Sequence, residues 1–104
     1  MGMKHQEDGS LAPVKGYLTS CIRELPEMAR SEMPEFVIKE YDPLIDSSCM
    51  GPSDWVKIAT DIEENYLEFD GFVVIMGTDT MAYASSAMSF MVNQLKYPNY
   101  FIMH

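Results

Sequence analysis

The sequence predicts an α/β fold with parallel strands, and three observations lead to this prediction. Residues 72–76 form an unbroken apolar run that includes two Val and one Ile, which is typical of a strand buried on both faces of a parallel sheet. A helical pattern over residues 52–68 ends just before this run. A second helical pattern, over residues 81–95, follows the run after a tight turn. Helices that alternate with strands along the chain indicate an α/β architecture.

Composition limits the size of the fold and the classes of partner. The chain has 104 residues, of which 47% are hydrophobic, so we expect at most one small domain with enough apolar side chains for a core. The net charge is −9, with 7 basic and 16 acidic residues, which argues against nucleic acid and anionic membranes as partners. We expect no organic cofactor and no metal, because the sequence shows neither a Gly-rich phosphate loop nor a ligand cluster.

Cysteine usage and the first residues predict a cytoplasmic location. Cys21 and Cys49 have neither C-x-x-C spacing nor a neighbouring His cluster, so we expect two reduced thiols. Residues 1–20 show no apolar segment of the kind that a secretory signal requires. Reduced thiols in a chain without such a signal favour the cytoplasm.

Residues 1–40 predict one loop, one short helix and one strand. Residues 1–16 are polar and contain three Gly and one Pro, so we expect an extended loop. Residues 17–25 place apolar side chains at helical spacing, and Pro26 marks the end of a short helix. Residues 36–40 contain β-branched Val and Ile, which predicts a strand.

The rest of the chain predicts helix, strand, helix and strand. Gly51 suits an N-cap, Pro52 suits the first helical position, and Asp54 is favourable near the positive end of the helix. Apolar residues then recur every three or four positions, at Trp55, Ile58, Ala59, Ile62, Tyr66 and Phe69. The predicted elements are helices at 52–68 and 81–95 and strands at 71–76 and 100–103.

A polar turn follows the central strand. Gly77 allows close approach of backbone, while Thr78, Asp79 and Thr80 place two hydroxyls and a carboxylate beside the first free amides of the next helix. Ligands bind at the carboxyl ends of strands in open α/β sheets, so this turn is a candidate site. From composition alone, simple helix capping is favoured. A membrane span over residues 71–95 is disfavoured, because the polar turn would be costly in hydrocarbon.

Two segments of the sequence resemble one protein family. Residues 71–91 carry the pattern GFVV-x-x-GTDTMAY-x-x-S-x-x-SFM, and residues 40–48 carry E-Y-x-P-L-x-D-S-S. Both patterns resemble those of cytoplasmic-type L-asparaginases, which also form the N-terminal domain of some animal asparaginase/lysophospholipase proteins. The resemblance implies a three-layer α/β sandwich with a mostly parallel sheet. The matched positions are Glu40, Tyr41, Pro43, Leu44, Asp46 to Ser48, Gly71 to Val74, Gly77 to Tyr83, Ser86, and Ser89 to Met91.

The resemblance implies a homo-oligomeric enzyme without cofactors that hydrolyses L-asparagine to L-aspartate and ammonia through an acyl-enzyme ester on a Thr. It implies that Thr78 relays a proton and that Asp79 binds the α-amino group of the substrate. It also implies that Asp46, Ser47 and Ser48 form a loop that binds the α-carboxylate, since hydroxyls and peptide amides suit a planar anion. Without the resemblance, this loop is better explained as an Asx or Ser turn before the next helix.

Two parts of the family pattern have no counterpart in this sequence. The family begins with a strand that runs into T-G-G-T-I-G-M-[KQ], of which Gly2-Met3-Lys4 remain, so the acylated Thr is missing. The family continues after the second helix with G-K-P-V-I-x-T-G-[AS]-Q, whereas residues 97–104 read YPNYFIMH, and the active-site Lys is also missing. We therefore expect residues 1–104 to be an incomplete N-terminal asparaginase domain that is inactive alone.

The alternative is a non-catalytic protein derived from an asparaginase. Such a protein would bind an amino acid through the retained turns, or would pair with a full-length paralogue through an open sheet edge. Lysophospholipase activity has less support, because the sequence contains no G-x-S-x-G nucleophile motif.

Overall fold

The computed structural model of the chain describes residues 3–92 and the backbone of residues 100–103. The chain divides into two compact units, with the boundary between Ile45 and Asp46. Both candidate turns, at residues 46–48 and 77–80, belong to the second unit. The candidate site can therefore be described within a single unit.

A small β-hairpin is formed by residues that we predicted as an extended loop, so that prediction was wrong. Strands β1 (Met3–His5) and β2 (Leu11–Pro13) pair in the antiparallel sense. In the turn between them, the Gln6 amide donates to the Ser10 carbonyl at 2.8 Å. Gly9, with a φ of 83°, provides the left-handed conformation that the turn needs. Strands of three residues are too short for an alternating pattern to be recognised in the sequence.

Helix α1 (Tyr17–Glu24) confirms the helix predicted over residues 17–25, and Glu40 binds its N-terminus. One carboxylate oxygen of Glu40 accepts a hydrogen bond from the Gly16 amide at 2.7 Å. The other oxygen accepts from the Thr19 amide at 3.4 Å and from the Thr19 hydroxyl at 2.5 Å. The Gly16 N-cap has no side chain for this purpose, so a carboxylate from a distant segment satisfies the free amides and complements the helix dipole.

The strand predicted over residues 36–40 is not formed. These residues belong to neither of the two sheets in the described part of the chain. Phe36 and Val37 are 43% and 74% exposed, so the apolar run has no core to face. A β-branched run favours extended backbone, but a strand also needs a partner for its ladder, and the local sequence does not supply one.

The second unit has the predicted order of helix, strand, helix and strand. Its elements are α2 (Pro52–Asn65), β3 (Gly71–Val74), α3 (Met81–Met91) and β4 (Tyr100–Met103). Helix α2 begins as predicted, with the Asp54 carboxylate accepting from the amide of the Gly51 N-cap at 2.9 Å. It ends three residues earlier than the predicted residue 68, in a turn over residues 66–68. Residues 93–95 of the predicted second helix lie outside the described residues.

The two strands of the second unit pair in parallel, as predicted. The register places Gly71 opposite Tyr100 and Val74 opposite Met103. The ladder ends at Val74, two residues before the predicted end of the strand. The prediction that β3 is buried on both faces was wrong for this chain, because Val73 is 62% exposed. The described residues therefore form an α/β arrangement with a parallel strand pair, in which one face of β3 remains open.

The core of the second unit lies between its two helices. Helices α2 and α3 contact each other, and the buried apolar side chains come from both. Their spacing of four residues places them on one face of each helix. They are Ile58, Ile62, Tyr66, Ala84 and Met88. None of the helices in the described residues has the length and apolar character needed to cross a bilayer.

Met88→Ala should destabilise the second unit strongly. Met88 is fully buried between the helices, at 0% exposure, so truncation removes its contacts and leaves a cavity. We expect the free energy of unfolding to fall by about 2–5 kcal/mol in urea denaturation. The control is Val56→Ala on α2, which removes a side chain that is 54% exposed and should cost less than about 0.5 kcal/mol. Equal effects of the two variants would contradict this description of the core.

Glu40→Gln should weaken the first unit in a pH-dependent way. The hydrogen bond from the Thr19 hydroxyl, followed by that from the Gly16 amide, holds the pKa of Glu40 below its ordinary value of 4.5. A lowered pKa in the folded state means that the stabilisation is present at neutral pH and is lost as the pH falls through that folded pKa.

We therefore expect faster hydrogen exchange at the Thr19 amide in Glu40→Gln than in the parent chain at pH 7. The ratio of the two exchange rates should approach one as the pH falls through the lowered folded-state pKa of Glu40. Glu32→Gln is the control, because it removes the charge of an exposed glutamate that takes no part in the hydrogen bonds at the start of α1. A ratio that does not change with pH would show that the charge of Glu40 is unimportant.

Candidate functional site

The first part of the candidate site is a single 3-10 turn before α2. Residues Ser47–Cys49 form this turn, and Asp46 is its N-cap residue. The Asp46 carboxylate accepts from the Ser48 amide at 2.9 Å and from the Ser48 hydroxyl at 2.8 Å. These two bonds, the amide first, lower the pKa of the Asp46 carboxyl. Asp46 and Ser48 therefore satisfy each other, as in the Asx turn that the residues alone suggest.

Ser47 is the residue of this turn that faces the rest of the site. It is only 3% exposed, and it is the buried polar residue of the described chain. Its hydroxyl donates to Oδ2 of Asp79 at 3.3 Å. Its carbonyl accepts a hydrogen bond from the Thr80 hydroxyl at 2.6 Å. Both polar ends of Ser47 are thus bonded to the turn that follows β3.

The second part of the site is that turn, residues 77–80, between β3 and α3. Gly77 lies directly against Ser47, because a Cβ atom at Gly77 would be 2.3 Å from the Ser47 Oγ and 2.9 Å from its Cβ. Such distances are not tolerated, so only glycine allows the two turns to approach this closely. The sequence analysis expected a close approach at Gly77, and the structure identifies the Ser47 side chain as its neighbour.

Thr78 and Asp79 point their side chains to the solvent. Both residues are exposed, and α3 begins two residues after Asp79. Within the described residues, the Thr78 side chain makes no hydrogen bond, and the described contact of the Asp79 carboxylate is the one from Ser47. An exposed carboxylate beside two hydroxyls can accept hydrogen bonds from a cationic ligand group.

Helix capping, the simpler explanation of this turn, does not describe Thr80. Thr80 is the N-cap residue of α3, but its side chain forms no capping hydrogen bond. Its hydroxyl donates to Ser47 instead. From the sequence we included Thr80 in the candidate turn but assigned it no role in binding or catalysis. The signal that the sequence offered was its position as the second Thr of the motif. Its hydrogen-bond partner, Ser47, lies in another segment and could not be identified from the neighbouring residues.

The structure thus brings Ser47 and Asp79 into contact and places Thr78 next to them in sequence. Asp46 and Ser48 lie in the same turn as Ser47, but bond to each other. In the part of the chain that the structure describes, no three His, Cys, Asp or Glu side chains are grouped as metal ligands.

Comparison with known proteins gives consistent matches. The family described as "Asparaginase, N-terminal" matches residues 1–99. L-asparaginase 1 of Escherichia coli K12 is 51% identical over 98 residues, which are 94% of this chain and 29% of that protein. The 60 kDa lysophospholipase of Mus musculus is 46% identical over 74 residues, which are 71% of this chain and 13% of that protein.

The fold also matches a solved structure. The crystal structure of L-asparaginase I from Vibrio cholerae superposes with a TM-score of 0.73 at 53% identity. The match covers 86% of this chain and 26% of that chain. The chain therefore spans less than a third of the length of these relatives.

Proposed function

The chain belongs to the asparaginase family, and from that premise we propose that it forms the amino-acid-binding part of an L-asparaginase. The reaction is hydrolysis of the side-chain amide of L-asparagine to L-aspartate and ammonia. The observation that carries the proposal is the hydrogen bond between Ser47 and Asp79, which joins two motif turns that are 32 residues apart. A free amino acid presents an ammonium and a carboxylate, and these turns offer an acceptor and donors in one place.

Asp79 is the proposed partner of the substrate's α-ammonium group. Its side chain is exposed, and the Ser47 hydroxyl donates to Oδ2, so Oδ1 remains available as an acceptor. Hydrogen bonds between an ammonium and a carboxylate are short and about twice as strong as those between neutral groups. The bond from Ser47 also restricts the rotation of the Asp79 side chain, which supports a binding role for this carboxylate.

Ser47 is the proposed partner of the substrate's α-carboxylate. A ligand whose ammonium binds Asp79 brings its carboxylate close to Ser47, and we propose that the single proton of the Ser47 hydroxyl then turns from Asp79 to that carboxylate. We propose that Asp46 and Ser48 contribute by fixing the turn, because the Ser48 amide and hydroxyl both donate to the Asp46 carboxylate. A rigid turn reduces the entropy lost when the ligand binds.

Thr78 is the proposed proton relay. Its hydroxyl is exposed and forms no hydrogen bond within the described residues, so it is available to a ligand and to a neighbouring base. A positioned group that moves a proton in the transition state typically contributes about 10²–10⁴-fold to the rate. The location of Thr78 next to Asp79 supports a role beside the bound substrate.

Hydrolysis itself is proposed to require polypeptide beyond these 104 residues. The acylated Thr and the active-site Lys that the resemblance implies have no counterpart in this sequence, and the E. coli relative is matched over 29% of its length. Exposed apolar side chains support the proposal, since Leu67, Val73 and Phe90 are 87%, 62% and 80% exposed. Apolar surface of this kind is typical of segments that further polypeptide covers.

We also propose a cytoplasmic location and a complete protein that is homo-oligomeric, as the family resemblance implies. Both cysteines of the chain, Cys21 and Cys49, are free thiols, which favours a reducing compartment. The net charge of −9 makes a nucleic acid or an anionic membrane an unfavourable partner.

A second candidate function, amino-acid binding without catalysis, has support from the chain itself. The Ser47–Asp79 contact lies wholly within the second unit and needs no residue from elsewhere. Calorimetry with L-asparagine and L-aspartate, combined with an ammonia assay on the same preparation, tests whether these residues bind the amino acid without hydrolysing it. The isolated chain should bind at millimolar ligand, should release no ammonia above background, and should lose binding in Asp79→Asn.

The outcomes of this experiment are distinct. Absence of heat at millimolar ligand would remove the non-catalytic binding candidate. Ammonia release by the isolated chain would contradict the proposal that further polypeptide is needed. The control is Asp70→Asn, which changes an exposed carboxylate outside both turns and should leave binding unchanged.

The catalytic roles are tested in a complete enzyme. Residues 1–99 can replace the matching segment of E. coli L-asparaginase 1, with all other residues of that protein retained. In this hybrid, Thr78→Val should lower kcat by roughly 10²–10⁴-fold, because it removes the hydroxyl at nearly constant volume. Asp79→Asn should also raise KM, since the carboxylate that binds the ammonium is lost.

Steady-state ammonia release is the measurement for both variants. Ser85→Ala is the matched control, because it removes a hydroxyl from α3 that donates to Ala82 within the same helix. Near-parental activity of Thr78→Val would show that the proton relay lies elsewhere.

A further inference from the structure

Thr80 forms the shortest hydrogen bond that the structure shows between the two turns. Its hydroxyl lies 2.6 Å from the Ser47 carbonyl oxygen, whereas the Ser47 hydroxyl lies 3.3 Å from Asp79. Hydrogen bonds between hydroxyl and oxygen acceptors are usually 2.5–3.0 Å long, so the first lies within this range and the second is longer and weaker. The position of Ser47 therefore depends more on Thr80 than on Asp79.

The use of the Thr80 hydroxyl is unusual for its position. Thr at an N-cap usually accepts a hydrogen bond from a backbone amide of the first helical turn. Here the N-cap residue of α3 makes no such bond and donates to a segment 33 residues earlier in the chain. The helix loses a capping interaction, and the turn that carries Ser47 gains an attachment.

Gly77, the first residue of the motif turn, also contributes to this attachment. Its missing Cβ leaves the space that the Ser47 Oγ and Cβ occupy. Thr80 holds the backbone of Ser47, Gly77 admits its side chain, and the hydroxyl is then directed at Asp79. Ser47 is 3% exposed, so it has little freedom to adopt another position.

We infer that Thr80 is a positioning residue for amino-acid binding, which acts through the Ser47 carbonyl to set the Ser47 hydroxyl against the Asp79 carboxylate. The inference rests on the proposed function for the nature of the ligand. Thr80 itself touches no substrate in this account. Loss of the Thr80 hydroxyl should therefore displace the turn of residues 46–49 and weaken ligand binding. A side chain that keeps the hydroxyl but lacks the methyl group should preserve both the turn and the binding.

The test uses the 104-residue chain labelled with ¹⁵N, with Thr80→Val and Thr80→Ser as the paired variants. Valine keeps the shape and removes the donor, and serine keeps the donor. We expect Thr80→Val to shift the amide resonances of Ser47 and Cys49 and to speed their hydrogen exchange. Thr80→Ser should leave both close to the parent. Ser85→Ala, which also removes a hydroxyl-to-carbonyl bond but within α3, should leave the turn unaffected.

Ligand affinity is the second readout, because a merely structural role would not move it. We expect the Kd for L-aspartate to rise about tenfold in Thr80→Val, as one lost hydrogen bond would give, and to recover in Thr80→Ser. Gly77→Ala provides an independent variant, since its Cβ displaces Ser47 while the Thr80 hydroxyl remains. It should produce the same turn shifts and the same loss of affinity.

Each outcome decides the inference. Unchanged Ser47 and Cys49 resonances in Thr80→Val would overturn it, and so would a shifted turn with unchanged Kd. If Thr80→Val does not fold, Thr80→Ala, which also removes the hydroxyl donor, takes its place in both measurements. If the parent chain binds neither L-aspartate nor L-asparagine, amino-acid binding by these residues alone is disproved, and the resonances still decide whether Thr80 positions Ser47.

Discussion

The arrangement of the second unit depends on how Ser47 is attached to the turn after β3. Ser47 is a polar residue at 3% exposure, so its backbone carbonyl and its hydroxyl need protein partners. The hydroxyl of Thr80 and the carboxylate of Asp79 are those partners. Helix α2 and strand β3 lie between the two turns along the chain, so this attachment also limits where both elements can lie. The packing of the two helices and the hydrogen bonds between the two turns therefore both limit where α2 and β3 lie.

The elements that could be predicted are those whose signals are local. Helix α2 follows from its apolar stripe and from Pro52, and α3 follows the polar turn as expected. The predictions that were wrong concern which segments pair as strands and which side chains are buried. Residues 36–40 have the composition of a strand but no partner, and β1 and β2 have a partner but almost no strand composition. A ladder depends on two segments at once, which one segment's propensity cannot report.

The candidate site could also be predicted only in part. Motif resemblance located Asp46–Ser48 and the turn at Thr78 and Asp79, and the structure brings Ser47 and Asp79 together. The sequence could not show that Ser48 is occupied with Asp46, nor that Thr80 bonds outside its own helix. Both facts concern the choice between alternative hydrogen-bond partners of similar chemistry. That choice is made by three-dimensional proximity and not by residue type.

The carboxylate of Glu40 has a consequence for how this family's signature is interpreted. Glu40 opens the nine-residue signature that ends in Asp46–Ser48, yet its hydrogen bonds go to Gly16 and Thr19 at the start of α1. Its role is to complete a helix terminus. The signature therefore begins with a carboxylate that stabilises the start of a helix in the first unit, and it ends with three residues of the second unit.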